Sequence, residues 1–471
     1  MARADRRRPL LALALILAAP LLAGCPATAP ENEATAPAGP AAPVRPADDG
    51  WTLRVTGTRP DYRGPYLGNG YLGQRFGLLG WAEGDPDPLP TFVAGLYVDE
   101  RLAPVPSAAA MRLAIDGAEC RPDAIEGYQQ ELRLREGRLV THYTWRSPRG
   151  PVNVAVDAAM CLDRPHLFVL HLTIQNQSPS PVEVVARLPA IPPPWSSPGW
   201  KSSAPEGPAT ALLTTADGAE RVAIATALAP IGDPTATERL PPSEDALLRA
   251  RIAAGRTGDL LRVTAIATQR DAPDPLARVE RECRQALGEP LATIWSRHEA
   301  AWARVWEGDI EIEGDLAAQQ LVRVARFYLR GSVHPDRADG VPPMGLSSDA
   351  FAGHVFWDMD TWMLPALLLQ APELARAMLE YRYRTLPGAR AMAREEGRRG
   401  ASFAWESART GRETVGQMST RHGRHVTGDV ALAAWQYWLA TGDRDWLRSR
   451  GWPLLRETAD YWVSRVVRTP D

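Results

Sequence analysis

The hydrophobic pattern of this chain changes its period once, and that change constrains the fold more than any other feature. From Trp51 to about Gln269, apolar and polar residues mostly alternate, with frequent interruption by Gly, Pro or Asn. Successive side chains of a strand point to opposite faces, so this pattern predicts strands with one buried face. Closely spaced turn residues favour antiparallel connections. We therefore expect an N-terminal antiparallel β-sandwich, of the supersandwich kind, over residues 51–275.

Individual strands can be predicted within this region. Leu132 and Leu134 alternate with charged residues, Glu136-Gly137 supplies a turn, and the alternation resumes at Leu139. This arrangement is typical of a β-hairpin. The same alternation predicts further strands at 152–156, 167–174, 182–188 and 260–267.

After Pro275 the apolar residues recur at helical spacing. Leu291, Ile294 and Trp302 fall on one helical face, which predicts a helical linker over residues 276–314. Further helices are predicted at 316–329, 361–370, 373–384, 428–440 and 446–467. Strands followed by helices indicate segregated domains and exclude alternating βαβ units.

The first fifty residues carry export signals. Arginines 6–8 precede an apolar run over 10–22, which leads into Leu22-Ala23-Gly24-Cys25. This pattern predicts a signal peptide over 1–24 and lipidation of Cys25, and the alternative is an ordinary secretory signal with an incidental cysteine. Residues 25–50 are rich in Ala and Pro and should form a disordered tether. We expect a lipid-anchored protein of the bacterial cell envelope, on its periplasmic or extracellular face, that meets the membrane through its N-terminal lipid.

Cysteine content and net charge exclude two classes of protein. Beyond Cys25 only Cys120, Cys161 and Cys283 remain, so at most one intramolecular disulfide can form and burial must hold the fold together. The formal net charge of −3 provides no general attraction for nucleic acid. We expect no nucleic-acid partner.

One segment concentrates two carboxylates and two indoles. It runs Phe-Trp-Asp-Met-Asp-Thr-Trp from Phe356 to Trp362. Asp358 precedes a predicted helix, where an N-cap role is common. Its alternative role is to accept hydrogen bonds from sugar hydroxyls while Trp357 offers a flat apolar face to a ring. Asp358 and Asp360 are two residues apart, so on a helix they point to different faces and make a poor catalytic pair.

Two further polar clusters follow. The first is Phe-Ala-Trp-Glu-Ser-Ala over 403–408, and the second is His-Val-Thr-Gly-Asp over 425–429. Taken alone, each favours a structural role, either a loop aromatic that fills a cleft or an Asp that caps a helix, and the alternative for each is a ligand site. The histidines His354, His422 and His425 lack metal-ligand spacing, so we expect no metal site and no cofactor.

Taken together, these segments resemble glycoside hydrolase family 65. The resemblance is closest to the branch of protein-glucosylgalactosylhydroxylysine glucosidase and kojibiose hydrolases. It rests on motifs that occur in order: Leu-Gly-Asn-Gly-Tyr-Leu-Gly over 67–73, the run from Phe356, Glu380-Tyr381-Arg382 followed by Thr385-Leu386, and the clusters at 403–408 and 425–429. The resemblance implies an N-terminal β-sandwich, a helical linker and an (α/α)6 catalytic barrel.

The family also suggests roles for individual residues. Trp357 and Asp358 match the pair that binds the non-reducing glucose, and Trp405, Glu406 and His425 are expected to line the same pocket. Asp360 stands where the family has Glu, which leaves open the contact that the longer side chain would make. The family's general acid is expected beyond Asp471, so residues 315–471 would be the N-terminal part of an incomplete barrel in a truncated chain with no catalytic residue of its own.

The resemblance implies an inverting α-glucoside hydrolase that acts on an α-linked glucosyl disaccharide or glycan. Such enzymes hold two carboxyl groups roughly 6.5 to 9.5 Å apart, which leaves room for the attacking water. Two alternatives remain open: a family 65 disaccharide phosphorylase, and a glycan-binding lipoprotein without catalysis. The family consists of glycosidases, but we expect this chain to lack the catalytic acid, so the sequence does not decide whether the chain is itself an enzyme.

Overall fold

The computed structural model describes residues 50–58, 62–82, 88–202, 207–241, 248–415 and 423–467. Within these ranges strands come first and helices follow, because the last strand ends at Thr268 and the first long helix begins at Pro275. The strands are β1 (Thr52–Thr56), β2 (Tyr66–Gly68), β3 (Leu72–Arg75), β4 (Thr91–Val98), β5 (Arg101–Val105), β6 (Met111–Ile115), β7 (Ala118–Glu119), β8 (Ile125–Arg133), β9 (Arg138–Ser147), β10 (Gly150–Met160), β11 (Leu167–Asn176), β12 (Val182–Ala186), β13 (Lys201–Ser202), β14 (Ala209–Thr214), β15 (Arg221–Ile231), β16 (Thr237–Leu240), β17 (Leu248–Ile252) and β18 (Thr257–Thr268).

The described strands form three sheets in which neighbouring strands run antiparallel. The largest has the order β1-β8-β9-β10-β11-β18-β15-β14-β13, the second β16-β17-β12-β6-β7, and the third β2-β3-β4-β5. Val154 and Leu170 of the large sheet share one buried core with Val184 and Leu113 of the second sheet. Alternate apolar positions therefore meet between sheets, as a sandwich requires. The antiparallel sandwich and the β8–β9 hairpin, in which Leu132 pairs with Leu139, are confirmed.

The helices are α1 (Pro275–Leu287), α2 (Leu291–Trp306), α3 (Leu316–Arg330), α4 (Leu364–Leu368), α5 (Pro372–Arg384), α6 (Leu386–Glu395), α7 (His425–Thr441), α8 (Arg444–Trp446) and α9 (Trp452–Arg465). Helix α1 covers the outer face of the large sheet, where Val279 and Cys283 pack against Val263. Helix α2 turns Trp302 into the sandwich core.

Helices α4 to α9 build a second core around Met378, Tyr381 and Val430. Two π-helical turns, Met359–Met363 and Leu447–Gly451, lead into α4 and α9 where regular helix was predicted. Helix α6 was not predicted. None of the helices in the described ranges is long and apolar enough to cross a membrane.

The glycine-rich motif at 67–73 joins the two halves of the molecule. Asn69 donates to the carbonyls of Cys161 and Pro165 at 2.8 and 3.0 Å. The amide of Gly70 donates to the carbonyl of Gly331 at 2.8 Å. A Cβ on Gly70 would lie 2.2 Å from the carbonyl oxygen of Val333, so only glycine permits this approach. The motif is thus a structural joint.

The three cysteines after Cys25 are free and buried. They form no disulfide framework, in keeping with a fold held by burial. Cys25, the signal peptide and most of the tether lie outside the described residues.

Candidate functional site

The segment from Phe356 enters the helical half through a π-helical turn that separates its two carboxylates. Asp360 is 2% exposed and accepts from Nε of Arg382 at 3.1 Å and from Nη2 at 2.5 Å. Nη2 also donates to the carbonyl of Phe356 at 3.1 Å. Burial raises the pKa of the Asp360 carboxyl, and the adjacent Arg382 guanidinium opposes that rise. Asp360 therefore anchors the turn and is unavailable to a ligand. Its contact with Arg382 is the one that the sequence had left open for an Asp at a position where the family has Glu.

Asp358 has the opposite environment. Its backbone is already helical, with φ −52° and ψ −38°, and its side chain caps no amide, so the N-cap role is excluded. The residue is partly exposed. Within the described part of the chain, no hydrogen bond or ion pair involves its carboxylate. An ionised acid without a protein partner is able to accept hydrogen bonds from a polar ligand.

Three aromatic rings from separate segments meet, and one of them belongs to Trp357, the residue before Asp358. We call them the aromatic cluster: Trp357, Trp405 and His425. The His425 ring stands edge-on to both indoles, with centroids 4.9 Å from Trp357 and 5.5 Å from Trp405. The two indole centroids are 6.3 Å apart. All three residues are at least partly exposed, and the two indoles also pack against the second core. The fold thus brings the sequence-predicted aromatic residues together.

His425 lies in the first turn of α7, and Asp429 orients it. Nδ1 of His425 lies 2.7 Å from Oδ2 of Asp429, which leaves Nε2 with no partner among the described residues. Burial raises the pKa of Asp429, and the hydrogen bond from His425 opposes the rise. Asp429 sits inside α7, so the alternative that it caps the helix is wrong.

The loop at 403–408 is held by contacts that no spacing in the sequence indicated. Both oxygens of Glu413 accept backbone amides, from Trp405 at 2.9 Å and from Glu406 at 3.2 Å. Burial raises the pKa of Glu413, while these amides oppose the rise. Val355 and Ser407 exchange two backbone hydrogen bonds at 2.8 and 3.1 Å, which ties this loop to the segment that carries Trp357.

Glu406 makes one ion-pair contact. Its Oε2 lies 2.9 Å from Nδ1 of His354, and the pair is largely buried, with 16% and 8% of the side chains exposed. Thr414 Oγ1 lies 3.1 Å from the same nitrogen. Nε2 of His354 lies 2.9 Å from the carbonyl oxygen of Glu100, in the turn between β4 and β5. The sandwich therefore contacts the candidate site directly.

One histidine outside this site lies among potential metal ligands, but its bonding argues against a metal. Cys161, Asp163 and His298 bring ligand atoms within 4.8 Å of one another. Nδ1 of His298 accepts the amide of Leu162 at 3.1 Å, so the other ring nitrogen, 3.2 Å from the Gly137 carbonyl, must donate. No nitrogen lone pair remains for a metal.

Two cavities of similar volume, about 500 and 480 Å³, lie away from the predicted binding residues. One of about 500 Å³ is lined by Tyr66, Tyr328 and Met344 and contains none of the five predicted binding residues. Another of about 380 Å³ lies beside Glu413 and Thr414. We place the candidate site at the aromatic cluster because Trp357, Trp405 and His425 meet there. Among the described residues, the carboxylate of Asp358, which follows Trp357, and Nε2 of His425 have no partner.

Comparison with known proteins gives consistent matches over most of the chain. Residues 64–305 match the glycosyl hydrolase family 65 N-terminal domain, and residues 308–471 match the glycosyl hydrolase family 65 central catalytic domain. A kojibiose hydrolase from Flavobacterium johnsoniae is 32% identical over 445 residues, covering 89% of this chain and 63% of that protein. A protein-glucosylgalactosylhydroxylysine glucosidase from Gallus gallus is 41% identical over 209 residues, covering 41% of this chain and 30% of that one.

A solved structure supports the fold. A putative kojibiose phosphorylase from the human microbiome superposes with a TM-score of 0.76 at 17% identity, over 90% of this chain and 60% of that one. The fold class predicted from the sequence, a β-sandwich followed by helices of an (α/α)6 barrel, is confirmed. The chain spans less than two thirds of the length of these proteins.

Proposed function

Because this chain belongs to glycosyl hydrolase family 65, we propose that the whole protein is an inverting α-glucoside hydrolase that acts on an α-linked glucosyl disaccharide or glycan. Relatives named as a kojibiose hydrolase and as a glucosylgalactosylhydroxylysine glucosidase support glucoside hydrolysis. The activity is proposed for the whole protein because the chain covers 63% or less of these relatives.

The observation that carries this proposal is the aromatic cluster with two carboxylates beside it. A glucose ring offers apolar C–H faces and a rim of hydroxyl groups. The partly exposed indoles of Trp357 and Trp405 suit the apolar faces. The Asp358 carboxylate, without a partner in the described part of the chain, suits the hydroxyl rim, and Glu406 presents a second carboxylate.

Each residue has a proposed role in this arrangement. Asp358 and Glu406 accept hydrogen bonds from the hydroxyls of the non-reducing glucose. His425, oriented by Asp429, directs Nε2 at the same ring. A carboxylic acid elsewhere protonates the leaving oxygen, and a second carboxylate activates a water on the opposite face. The water oxygen bonds to the anomeric carbon as the glycosidic bond breaks, and the product is β-glucose.

The experiment incubates the full-length protein with kojibiose and follows the anomeric protons by NMR during the first turnovers. We expect β-glucose to appear first. Initial release of α-glucose would contradict inversion, and binding without any release of glucose would support a glycan-binding protein instead.

Water and phosphate must be distinguished in the same assay. The solved structure with this fold is named a putative phosphorylase, so the fold alone does not select the nucleophile. A parallel reaction with inorganic phosphate should give the same rate and no glucose 1-phosphate. Formation of glucose 1-phosphate only with phosphate would replace the hydrolase proposal with a phosphorylase.

Membrane attachment through Cys25 belongs to the same proposal. A protein with a lipid on Cys25 would meet α-glucosides outside the cytoplasm. Replacement of Cys25 by Ser should release the protein from the membrane fraction, and retention of the variant there would contradict lipidation.

A further inference from the structure

The turn between β4 and β5 reaches from the sandwich into the candidate site. Both of its residues, Asp99 and Glu100, have positive φ, 49° and 60°. The Tyr97 hydroxyl donates to the carbonyl of Gly353 at 2.7 Å. A Cβ on Gly353 would lie 2.3 Å from Cβ of Leu102, so the hairpin packs tightly against the residue before His354. The backbone entering the site is thus held by the sandwich.

The hydrogen-bond pattern of His354 indicates where its protons are. A carbonyl oxygen only accepts, so Nε2 must donate to Glu100 at 2.9 Å. The Thr414 hydroxyl donates its single proton to the carbonyl of Glu406 at 3.2 Å. Its oxygen is then an acceptor 3.1 Å from Nδ1 of His354. A neutral ring that accepted the Thr414 proton at Nδ1 would instead turn its lone pair towards Oε2 of Glu406, only 2.9 Å away. Nδ1 therefore also carries a proton, which it shares between Thr414 and Glu406.

This pattern makes His354 an imidazolium and Glu406 a carboxylate. If Glu406 were neutral and donated its proton to Nδ1, that nitrogen would have neither a proton nor a free lone pair for Thr414. The oxygen of Thr414 would then lie 3.1 Å from Nδ1 without a hydrogen bond. Within the described residues, no arginine or lysine lies within ion-pair distance of Glu406. His354 is then the cation that compensates this largely buried charge, which would otherwise be costly to bury.

We propose that His354 is a positioning residue: as an imidazolium held by the Glu100 carbonyl of the sandwich, it keeps Glu406 ionised and directs its second oxygen to a glucose hydroxyl. The substrate part of this proposal rests on the proposed function. The sandwich accordingly takes part in substrate recognition through the carbonyl that fixes the imidazole.

The first test reads the protonation state without substrate. Histidine labelled with ¹⁵N gives distinct shifts for imidazolium and for each neutral tautomer, and the His354→Gln spectrum identifies the resonance of residue 354. At pH 7 both nitrogens of His354 should show imidazolium shifts. A neutral tautomer would overturn the proposal, whether or not the protein hydrolyses any glucoside.

The second test separates positioning from a structural role. With His354→Gln, KM for kojibiose should rise about 10- to 100-fold, the range for a hydrogen bond to a charged group, with kcat changed less than about threefold. Glu406→Gln should give a similar rise. Arg101→Gln, at an exposed position on the same hairpin, is the matched control and should leave both constants unchanged.

The outcomes of the second test are distinguishable from failure of the proposed function. If His354→Gln lowered the apparent kcat and left KM unchanged, the substitution would have reduced only the amount of folded protein. That result would overturn the proposal. An unchanged KM in His354→Gln would overturn it as well. If the unmodified protein turned over no α-glucoside, the proposed function would fail, and the NMR result would still decide the charged pair.

Discussion

The buried pair of Asp360 and Arg382 allows a sharp prediction about stability. Replacement of Arg382 by Met keeps much of the apolar stem of the side chain and removes the guanidinium. The Asp360 carboxylate then loses its contacts at 3.1, 3.2 and 2.5 Å, and the carbonyl of Phe356 loses one at 3.1 Å. With side chains 0% and 1% exposed, water cannot replace these bonds.

The expected loss is large. Removing one partner of a buried ion pair destabilises proteins by about 3–5 kcal/mol, which is a factor of roughly 10² to 10³ or more in the folding equilibrium constant. Burial already raises the pKa of Asp360, and without the arginine only a backbone hydrogen bond opposes that rise. In the variant the raised pKa gives stability that is present at low pH and lost as pH rises, so the loss should be smaller near pH 4.5 than near pH 7.5.

The assay is urea unfolding, followed by far-UV circular dichroism and by tryptophan fluorescence so that separate transitions of the two halves are detected. Arg384→Met is the matched control, because Arg384 lies on the same helix, is exposed and should change stability by less than about 0.5 kcal/mol. Adding Asp360→Asn to Arg382→Met should recover part of the loss by removing the unpaired charge. Equal stabilities for the two methionine variants would refute this account of the turn.

Three further predictions follow from the described residues. Asp358→Asn should lower kcat/KM for kojibiose at least about 10-fold, since an amide oxygen accepts sugar hydroxyls more weakly than a carboxylate, and unchanged kinetics would exclude Asp358 from the site. Burial lowers the pKa of His298 from 6.5 to about 4, so the stability that the neutral ring gives above pH 6.5 should decline as pH falls towards 4. In His298→Asn, the urea midpoint should depend less on pH over that range. Gly137→Ala should destabilise the protein by about 2 kcal/mol more than Gly218→Ala. Both glycines have positive φ, but only at Gly137 would a new Cβ collide with another residue, 1.8 Å from Trp302 Nε1. Equal urea midpoints for the two variants would contradict this collision.

Much of the fold could be predicted from local pattern. The change from period two to helical spacing separated strands from helices, and Glu136-Gly137 indicated the β8–β9 turn, because these signals depend on neighbouring residues alone. Helix α6 was missed because it begins at Leu386 directly after α5 ends at Arg384, without an intervening run of turn residues. The π-helical turn at Met359–Met363 was missed because Arg382, which binds Asp360 within the turn and the Phe356 carbonyl before it, is distant in sequence.

The candidate site was only partly predictable. Asp358, Glu406 and His425 were selected because they lie beside aromatic residues in recognisable motifs. The supporting roles of Glu413 and Asp429 were not predicted. Nothing in a single sequence indicates that Glu413 holds backbone amides of the loop at 403–408, or that Asp429 holds the imidazole of His425. Asp358 and Asp429 had been considered as helix caps, and backbone geometry excluded both.

The sequence by itself determined the class of fold, the order of its two halves and the residue types able to bind a sugar, because periodicity and motif chemistry are local properties. Only the tertiary structure decided which acid is available. Asp358 and Asp360 are two residues apart in the same motif, yet packing buries one against Arg382 and leaves the other without a partner. Tertiary contacts likewise decided the place of His354, since the Glu100 carbonyl and the Glu406 carboxyl that hold its ring come from segments far apart in the chain.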